Sequence, residues 1–480
     1  MSPQRARFET THVVIAMAAL VAVLALLSSR YGYHRDELYF RMLPLAWGYV
    51  DQPPLMPMLV HGATWLLGDS LWALRVVAIA LAAASLPLAA LIAREVGGAA
   101  LAQRSAAWGM AGATATLMFG HVLLTASVDL VVWPTVILFV LRAVLRRDGR
   151  WWLAAGAVAG ASTYNKLLIA VLLAAIAAGL TVFGPRRWLR SGWLWAGVAI
   201  TALLAAPNIL YQATNGWPQL EMGAALAAQN AAEVRVMMWP FLVLLVGPVL
   251  AVFWSVALVT MFRRPAWRDL RFLAVAFTVV VAFVFWAGAQ FYYTAGILSA
   301  LTAIGAVPVA ELARTRRRRA TLSCLLAVNA AGCAVTSLPI APLPSAVGAA
   351  LAGINQSVAD QVGWPQYVDQ IERASVGADA IITSNYGEAG ALDRFGEQLP
   401  PVFSGHNALW DLGGPSDADV VVIVGGQLDR VAGLFASCEV VDHLDNGVDV
   451  DAEEQGQPLA VCRNPQQSWP QLWPLFRHLS

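Results

Sequence analysis

Residues 12–37 read HVVIAMAALVAVLALLSSRYGYHRDE, an apolar run followed by a short cluster of polar and charged residues. A helix needs about 20 apolar residues to cross the hydrocarbon core of a bilayer. Arg5 and Arg7 precede the run, as in a secretory signal, but no small-residue cleavage site follows it. We therefore predict a retained first spanning helix, with Asp36 and Glu37 at its exit from the membrane.

The rest of the chain divides into an apolar part and a more polar tail. The 480 residues are 58% hydrophobic and only 13% charged, whereas a soluble domain is about one quarter charged. Twelve of the 30 acidic residues lie in 1–337 and 18 lie in 338–480. This predicts a transmembrane catalytic domain over 1–338, with an outer loop at 31–71, and a soluble extracytoplasmic α/β domain over 339–480.

Hydropathy and charge together predict the topology. Alternate connections between the apolar runs are rich in arginine, which is typical of cytoplasmic loops. The pattern predicts a multi-pass protein of the cytoplasmic membrane, with the N-terminus inside and the tail outside. Eleven segments are candidate spanning helices: 12–29, 72–93, 105–123, 130–145, 151–164, 167–183, 193–210, 236–261, 272–288, 294–312 and 320–338.

Carboxylates gather on the predicted outer side. Asp36 and Glu37 precede a predicted short interfacial helix over 38–47, and one of the pair could simply cap that helix. Asp129 adds a third carboxylate from a separate outer loop. Ionisable residues at membrane depth are candidates for function, and a carboxylate in a partly dry cleft can act as a general base.

The chain has a single lysine, Lys166, which lies between two apolar runs on the predicted outer side. There it departs from the usual cytoplasmic placement of basic residues. A lysine that snorkels to the interface is one interpretation. The other is a phosphate ligand, because lysine is a compact point charge suited to that role.

Other outer residues have two interpretations as well. Tyr292 and Tyr293 fit an aromatic belt at the interface, or a wall against a sugar ring. In the helix predicted over 38–47, four side chains are expected to face lipid: Tyr39, Phe40, Leu43 and Trp47. A divalent metal is a candidate cofactor, although no tight ligand spacing occurs. The potential ligands are His34, Asp36, Glu37, Asp51, His61 and His121.

The tail pattern predicts four strands and three helices. The strands are 379–383, 420–424, 438–441 and 459–462, and the helices are 366–374, 386–395 and 427–435. Cys438 and Cys462 form an even pair in a domain predicted to be extracytoplasmic, which is compatible with a disulfide. No nucleic-acid partner is expected, because the arginines are scattered over short loops.

The order of these residues resembles the dolichyl-phosphate-mannose protein mannosyltransferase family. The matching pieces are Asp36-Glu37, the segment YVDQPPL at 49–55, Asp129, Asn165-Lys166 and a tyrosine-bearing outer turn. The resemblance covers roughly residues 10–310 and extends to bacterial relatives such as the aminoarabinose transferases that modify lipid A. It implies the C-type glycosyltransferase fold, a polytopic helical membrane protein with about 11 transmembrane helices.

The resemblance also implies a reaction. Such enzymes move a sugar, usually with inversion, from a polyprenyl-phosphate donor to an acceptor hydroxyl on a glycan, lipid or protein, in cell-envelope biogenesis. By resemblance, Asp36 is the general base, Glu37 and Asp129 shape the acceptor and sugar sites, and Lys166 holds the donor phosphate. Asp51 occupies a position that binds metal in some relatives.

One position departs from the family pattern. Where the lipid A relatives carry a basic residue in the proline turn, this chain has Gln52, which supplies no charge. Either Lys166 or an arginine such as Arg35 or Arg235 then contacts the phosphate, or the donor is held in a different way. The competing function is a transporter or flippase of a lipid-linked or polar solute. A non-catalytic assembly protein would not require the acidic cluster.

Overall fold

The computed structural model describes residues 6–343 and 345–479. The chain forms two compact units, and each is described by itself. The helical unit contains the described residues up to Leu26, together with Arg75–Trp217 and Leu226–Val335. The mixed unit contains Leu27–Leu74, Pro218–Ala225 and the described residues from Thr336 onward.

The apolar runs of the sequence form helices. Within the described residues, six helices are long and apolar enough to cross a membrane, or seven if one bent pair counts as a single span. The six are Thr10–Leu27, Leu71–Glu95, Thr125–Arg146, Gly192–Thr214, Phe291–Leu312 (which includes a 3₁₀ turn at Phe291–Thr294) and Arg316–Ser337. The number of eleven spans stays a prediction.

Shorter helices complete the apolar part of the chain. They are Ala100–Ala111, Thr114–His121, Arg150–Ser162, Ile169–Val182 and Phe272–Ala287, with 3₁₀ turns at Arg186–Arg190 and Pro265–Leu270. The single helix predicted over 105–123 is therefore wrong, because the chain breaks at Gly112. A Cβ at Gly112 would lie 2.3 Å from the Cβ of Ala330, so only glycine allows this close approach.

The helix predicted over 236–261 is also broken. The bent pair Pro218–Leu244 and Pro248–Arg263 turns by 94°. Gly247 has a φ of +90°, and Pro248 has no N–H to continue a helix. Asn329 bonds the freed backbone: its Nδ2 donates to the Val246 carbonyl at 3.1 Å, and its Oδ1 accepts from the Val249 N–H at 3.0 Å.

In the mixed unit, the segment predicted as an outer loop forms the helices Arg35–Met42 and Leu55–Leu67. The predicted lipid-facing orientation of Tyr39, Phe40 and Leu43 is wrong, since all three are buried inside the protein. Trp47 lies beyond the end of the helix and is exposed.

The tail is an α/β domain, as predicted. Five strands, β1 (Ala380–Thr383), β2 (Val402–Ser404), β3 (Val420–Val424), β4 (Phe435–His443) and β5 (Pro458–Pro465), form one sheet in the order β2-β1-β3-β5-β4. β1 pairs in parallel with β2 and β3, and β5 pairs antiparallel with β3 and β4. Cys438 and Cys462 are opposite each other on β4 and β5 and form the disulfide.

Short helices surround the sheet. They are Ala346–Gly353, Gln356–Ala359, Trp364–Ala374, Tyr386–Phe395, Leu428–Val431 and Trp469–Phe476, with 3₁₀ turns at Asn407–Leu412 and Ala432–Leu434. The helix Tyr386–Phe395 packs against the helix Arg35–Met42 at very short range. A Cβ at Gly390 would lie 2.8 Å from the Leu38 carbonyl carbon, so glycine permits this contact.

Candidate active site

Asp36 and Glu37 lie in the first turn of the helix Arg35–Met42, and His34 caps it. The His34 Nδ1 accepts from the Asp36 N–H at 3.1 Å, and the Glu37 Oε2 accepts from the His34 N–H at 2.9 Å. Glu37 is fully buried. This reciprocal arrangement is a capping box, so Glu37 stabilises the start of the helix.

The Asp36 carboxylate is partly open and is bonded from the tail. Its side chain is 30% exposed, and its Oδ1 accepts a hydrogen bond from the Tyr386 Oη at 2.9 Å. Within the described residues, its Oδ2 accepts no hydrogen bond. One oxygen is thus held in place, and the other is available to take a proton from a bound molecule.

Asp51 is held by a second tyrosine in the same unit. The Tyr39 Oη donates to the Asp51 Oδ1 at 3.1 Å, and the Tyr39 ring stacks on Tyr386 with centroids 4.6 Å apart. The two tyrosines therefore connect Asp51 with Asp36. Burial raises the pKa of Asp51 to about 7.

Asp51→Asn is expected to reduce the pH dependence of stability. Because the folded protein holds the Asp51 proton more tightly than the unfolded chain, the contribution of this carboxyl is full below its unfolded pKa. It is lost as the pH rises through about 7. The loss from this group is at most about 4 kcal/mol. The measurement is the melting temperature in detergent from pH 4 to pH 9.

The exposed Asp369 provides the control for this titration. Asp369→Asn should retain the wild-type slope of melting temperature against pH. Equal slopes in Asp51→Asn and the wild type would contradict the raised pKa.

Arg35 is buried against acidic residues of the tail. Its guanidinium forms ion pairs with Glu453 and with Glu454, the latter at 3.9 Å, and it lies 5.0 Å from the centre of the Tyr386 ring. Arg35 is 7% exposed and Glu454 is 1% exposed. The two glutamates therefore balance the buried charge of Arg35, and a bound phosphate is not needed for this.

Asp129 and Lys166 come together in the helical unit. The Lys166 Nζ lies 4.0 Å from the Asp129 Oδ2, and the Asn165 Nδ2 donates to the Asp129 Oδ1 at 3.3 Å. Lys166 and Asn165 lie in the break between the helices Arg150–Ser162 and Ile169–Val182. The Lys166 Nζ is buried and makes no hydrogen bond within the described residues.

Tyr292 and Tyr293 lie beside this lysine. The Lys166 Nζ is 5.2 Å from the Tyr292 ring centre and 4.6 Å from the Tyr293 ring centre. Both tyrosines, with Asp129 and Trp133, line a small cavity. The cavity wall is therefore aromatic on one side and carries a carboxylate.

Gln52 is buried in the proline turn. Its backbone carbonyl accepts from the Tyr49 N–H at 2.9 Å. Its side-chain Nε2 has no hydrogen-bond partner among the residues that the structure describes. A buried amide donor of this kind is satisfied when a bound molecule offers an acceptor.

The candidate metal ligands do not converge on one point. Among residues 6–343 and 345–479, no three His, Cys, Asp or Glu side chains form a group that could hold a metal ion. His34 caps a helix, and the His61 Nε2 bonds to the Leu43 carbonyl at 2.8 Å. These residues do not fit a metal held by protein ligands alone, and the divalent metal stays a prediction.

Tyr386 and Tyr39 are the site residues that the sequence patterns missed. Tyr386 is the first residue of a helix capped by Asn385, so the sequence around it indicates a helix start and not a functional site. Its separation from Asp36 is 350 residues, and no local pattern indicates a contact over that distance. Tyr39 is predicted at the lipid surface because aromatic residues are common there, whereas the structure buries it.

Two comparisons with known proteins show what this chain is similar to. The family model described as dolichyl-phosphate-mannose-protein mannosyltransferase matches residues 51–211. This segment includes Gln52, Asp129 and Lys166, whereas Asp36 lies before it. The fold matches ArnT from Cupriavidus metallidurans bound to undecaprenyl phosphate, with a TM-score of 0.60 and 16% identity over 93% of this chain and 97% of that chain. Over residues 51–211 the chain is similar to the protein mannosyltransferase family, and its fold is similar to that of ArnT.

Two other solved structures with a similar fold are an arabinofuranosyltransferase and an oligosaccharyltransferase. Arabinofuranosyltransferase AftD from Mycobacteria matches with a TM-score of 0.51 and 13% identity, over 95% of this chain and 40% of that chain. The oligosaccharyltransferase AglB from Archaeoglobus fulgidus matches with a TM-score of 0.50 and 12% identity, over 89% and 70%. No curated protein matches the sequence. At these identities the solved structures show the fold of this chain, and together with the family-model match they do not favour a transporter or flippase.

Proposed function

We propose that this protein is an inverting glycosyltransferase that moves a sugar from a polyprenyl-phosphate donor to an acceptor hydroxyl. The acceptor is a glycan, a lipid or a protein of the cell envelope. The observation that carries the proposal is the Asp36 carboxylate, which is bonded at Oδ1 and open at Oδ2. The similarity of residues 51–211 to the mannosyltransferase family supports it, as do the folds of ArnT, solved with undecaprenyl phosphate bound, and AglB, solved in complex with a dolichol-phosphate.

The proposed reaction is a single displacement. The acceptor oxygen attacks the anomeric carbon, and its proton passes to the Asp36 carboxylate. The bond from the anomeric carbon to the phosphate oxygen breaks, and its electron pair leaves with the polyprenyl phosphate. A base at the acceptor and positive charge at the leaving phosphate are the two groups that such a step requires.

Lys166 is our candidate for the positive charge. Its buried ammonium group lies near one carboxylate and two aromatic rings and makes no hydrogen bond within the described residues. A phosphate would accept hydrogen bonds from this group and neutralise its charge. Gln52, with its buried amide donor, is a further candidate for a polar contact with substrate.

We propose that the reaction takes place at the outer face of the cytoplasmic membrane. In this orientation the N-terminus is cytoplasmic and the tail is extracytoplasmic. The proposal is supported by the arginine-rich alternate connections of the sequence. A disulfide in the tail also agrees with an oxidising compartment.

The test is reconstitution of the purified protein in vesicles with individual polyprenyl-phosphate sugars. Consumption of one donor, with release of polyprenyl phosphate, is the expected result. If the orientation is as proposed, a donor added to the side of the tail is used. Failure of every donor to react with any of the three acceptor classes would overturn the proposal.

Lys166→Met is expected to raise the KM for the donor by about ten- to a hundredfold, the scale of a lost hydrogen bond to a charged group. The variant keeps a long apolar stem but removes the charge. Arg235→Met is the comparison, because Arg235 is exposed and its Nε bonds the Phe285 carbonyl at 3.3 Å. A donor KM that changes with Arg235 and not with Lys166 would assign the phosphate contact to the arginine.

A further inference from the structure

We propose that Tyr386, a residue of the tail, is a positioning residue that orients the Asp36 carboxylate for proton transfer. The inference rests on the proposed function of Asp36 as the base. The tail would then take part in the reaction, because removal of the Tyr386 hydroxyl should change kcat and its pH dependence. The contact is a hydrogen bond of 2.9 Å from the Tyr386 Oη to the Asp36 Oδ1.

The Tyr386 ring is held from several sides. It stacks on the Tyr39 ring with centroids 4.6 Å apart and on the His406 ring with centroids 4.9 Å apart. The Arg35 guanidinium lies 5.0 Å from its centre. A ring with so many neighbours has little rotational freedom, so its hydroxyl is aimed at Asp36 before any substrate binds.

The backbone of Tyr386 is fixed as well. Its N–H donates to the His406 Nδ1 at 3.1 Å. The preceding residue, Asn385, caps the helix through a capping box with Glu388. The close approach at Gly390 places this helix directly against the Leu38 backbone. These contacts fix the helix Tyr386–Phe395 against the helix Arg35–Met42, so the Tyr386 hydroxyl stays close to the Asp36 carboxylate.

The hydrogen bond has two consequences for a base. It keeps one carboxylate oxygen in a fixed position, so that the other faces the acceptor. It also stabilises the ionised carboxylate, which is the form that accepts the proton. Among the described residues, His34, Asp51 and Tyr386 interact with the Asp36 carboxylate. The titratable or charged groups around Tyr386 include Arg35, Tyr39, His406 and Asp360.

The decisive variant is Tyr386→Phe, which keeps the ring and removes the hydroxyl. We expect kcat to fall about ten- to a hundredfold, the scale of one lost hydrogen bond to a charged group, with the donor KM unchanged. We also expect the acid limb of the kcat profile to move to higher pH, because the Asp36 carboxylate loses a stabilising donor. A tail that only supports the fold would lower stability without moving this limb.

Tyr367→Phe is the matched control. Tyr367 is another buried tyrosine of the tail, and its hydroxyl bonds Gln455 and Asn446 at 3.3 and 3.2 Å. This variant should lose stability and keep the wild-type pH profile. Fluorotyrosine at position 386 keeps ring and hydroxyl and strengthens the donor, so the acid limb should move to lower pH. It provides a test even if Tyr386→Phe does not fold.

The outcomes separate the two proposals. If Asp36→Asn is inactive while both changes at Tyr386 leave kcat and the acid limb as in the wild type, the positioning role is wrong and the base stands. If Asp36→Asn transfers sugar at the wild-type rate, the proposed function of Asp36 is wrong. Opposite shifts of the acid limb with phenylalanine and fluorotyrosine support the positioning role.

Discussion

Asp36→Asn is expected to lower sugar transfer by about 10²- to 10⁴-fold, the contribution of a positioned general base. Asparagine has nearly the same shape as aspartate, and its amide oxygen can still accept from the Tyr386 hydroxyl. It cannot take the proton of the acceptor hydroxyl. The effect should therefore appear in kcat, and the KM for the donor should change little.

The measurement is steady-state transfer by reconstituted protein, with the melting temperature determined for the same preparation. Asp369→Asn, an exposed carboxylate of the tail, is the control and should be fully active. A wild-type melting temperature with lost transfer assigns the effect to chemistry. A fall in transfer that is matched by unfolding would instead make Asp36 a structural residue of the capped helix.

Parts of the fold could be predicted closely from local patterns. The helix 386–395 and the strand 420–424 have the bounds that the sequence analysis predicted. The helix start is marked by Asn385 and Glu388, the pair that forms the capping box, and the strand is the run VVVIV, rich in β-branched residues. Such elements are determined by neighbours a few residues away, so the sequence shows them directly.

Broken helices were harder to predict, because hydropathy alone does not distinguish a straight helix from a bent pair. The run 236–261 is apolar throughout, yet the chain turns at Gly247 and Pro248. The backbone groups freed there bond to Asn329, more than 80 residues away in sequence. The Gly-Pro pair was a visible signal for a break, and the bonding partner was not.

The candidate site shows the same division. The sequence analysis assigned Asp129 and Lys166 to one candidate site, but it did not predict their contact at 4.0 Å. The contact of Tyr386 with Asp36 depends on how the tail packs, and so does the burial of Arg35. Charge and aromatic character in the sequence indicate which residues are candidates for the site. Which residues they contact depends on tertiary packing.

Arg35→Met is expected to destabilise the protein by about 3–5 kcal/mol, the cost of removing one partner of a buried ion pair. The change leaves Glu454, which is 1% exposed, without its cation. Burial raises the pKa of Asp360 to about 7, and Arg35 opposes this rise. Burial likewise raises the pKa of Glu454, again against the effect of Arg35.

The loss should depend on pH in a defined direction. Without Arg35, the pKa values of Asp360 and Glu454 rise further above their unfolded values, so stability decreases more steeply as the pH increases. Melting temperatures at pH 5 and pH 8 measure this, and the deficit of the variant should be larger at pH 8. The control is Arg373→Met, which removes an exposed arginine of the same unit and should cost little. If Arg35→Met instead raised the donor KM and kept the wild-type melting temperature at both pH values, Arg35 would be a phosphate ligand and not the buried cation of the tail.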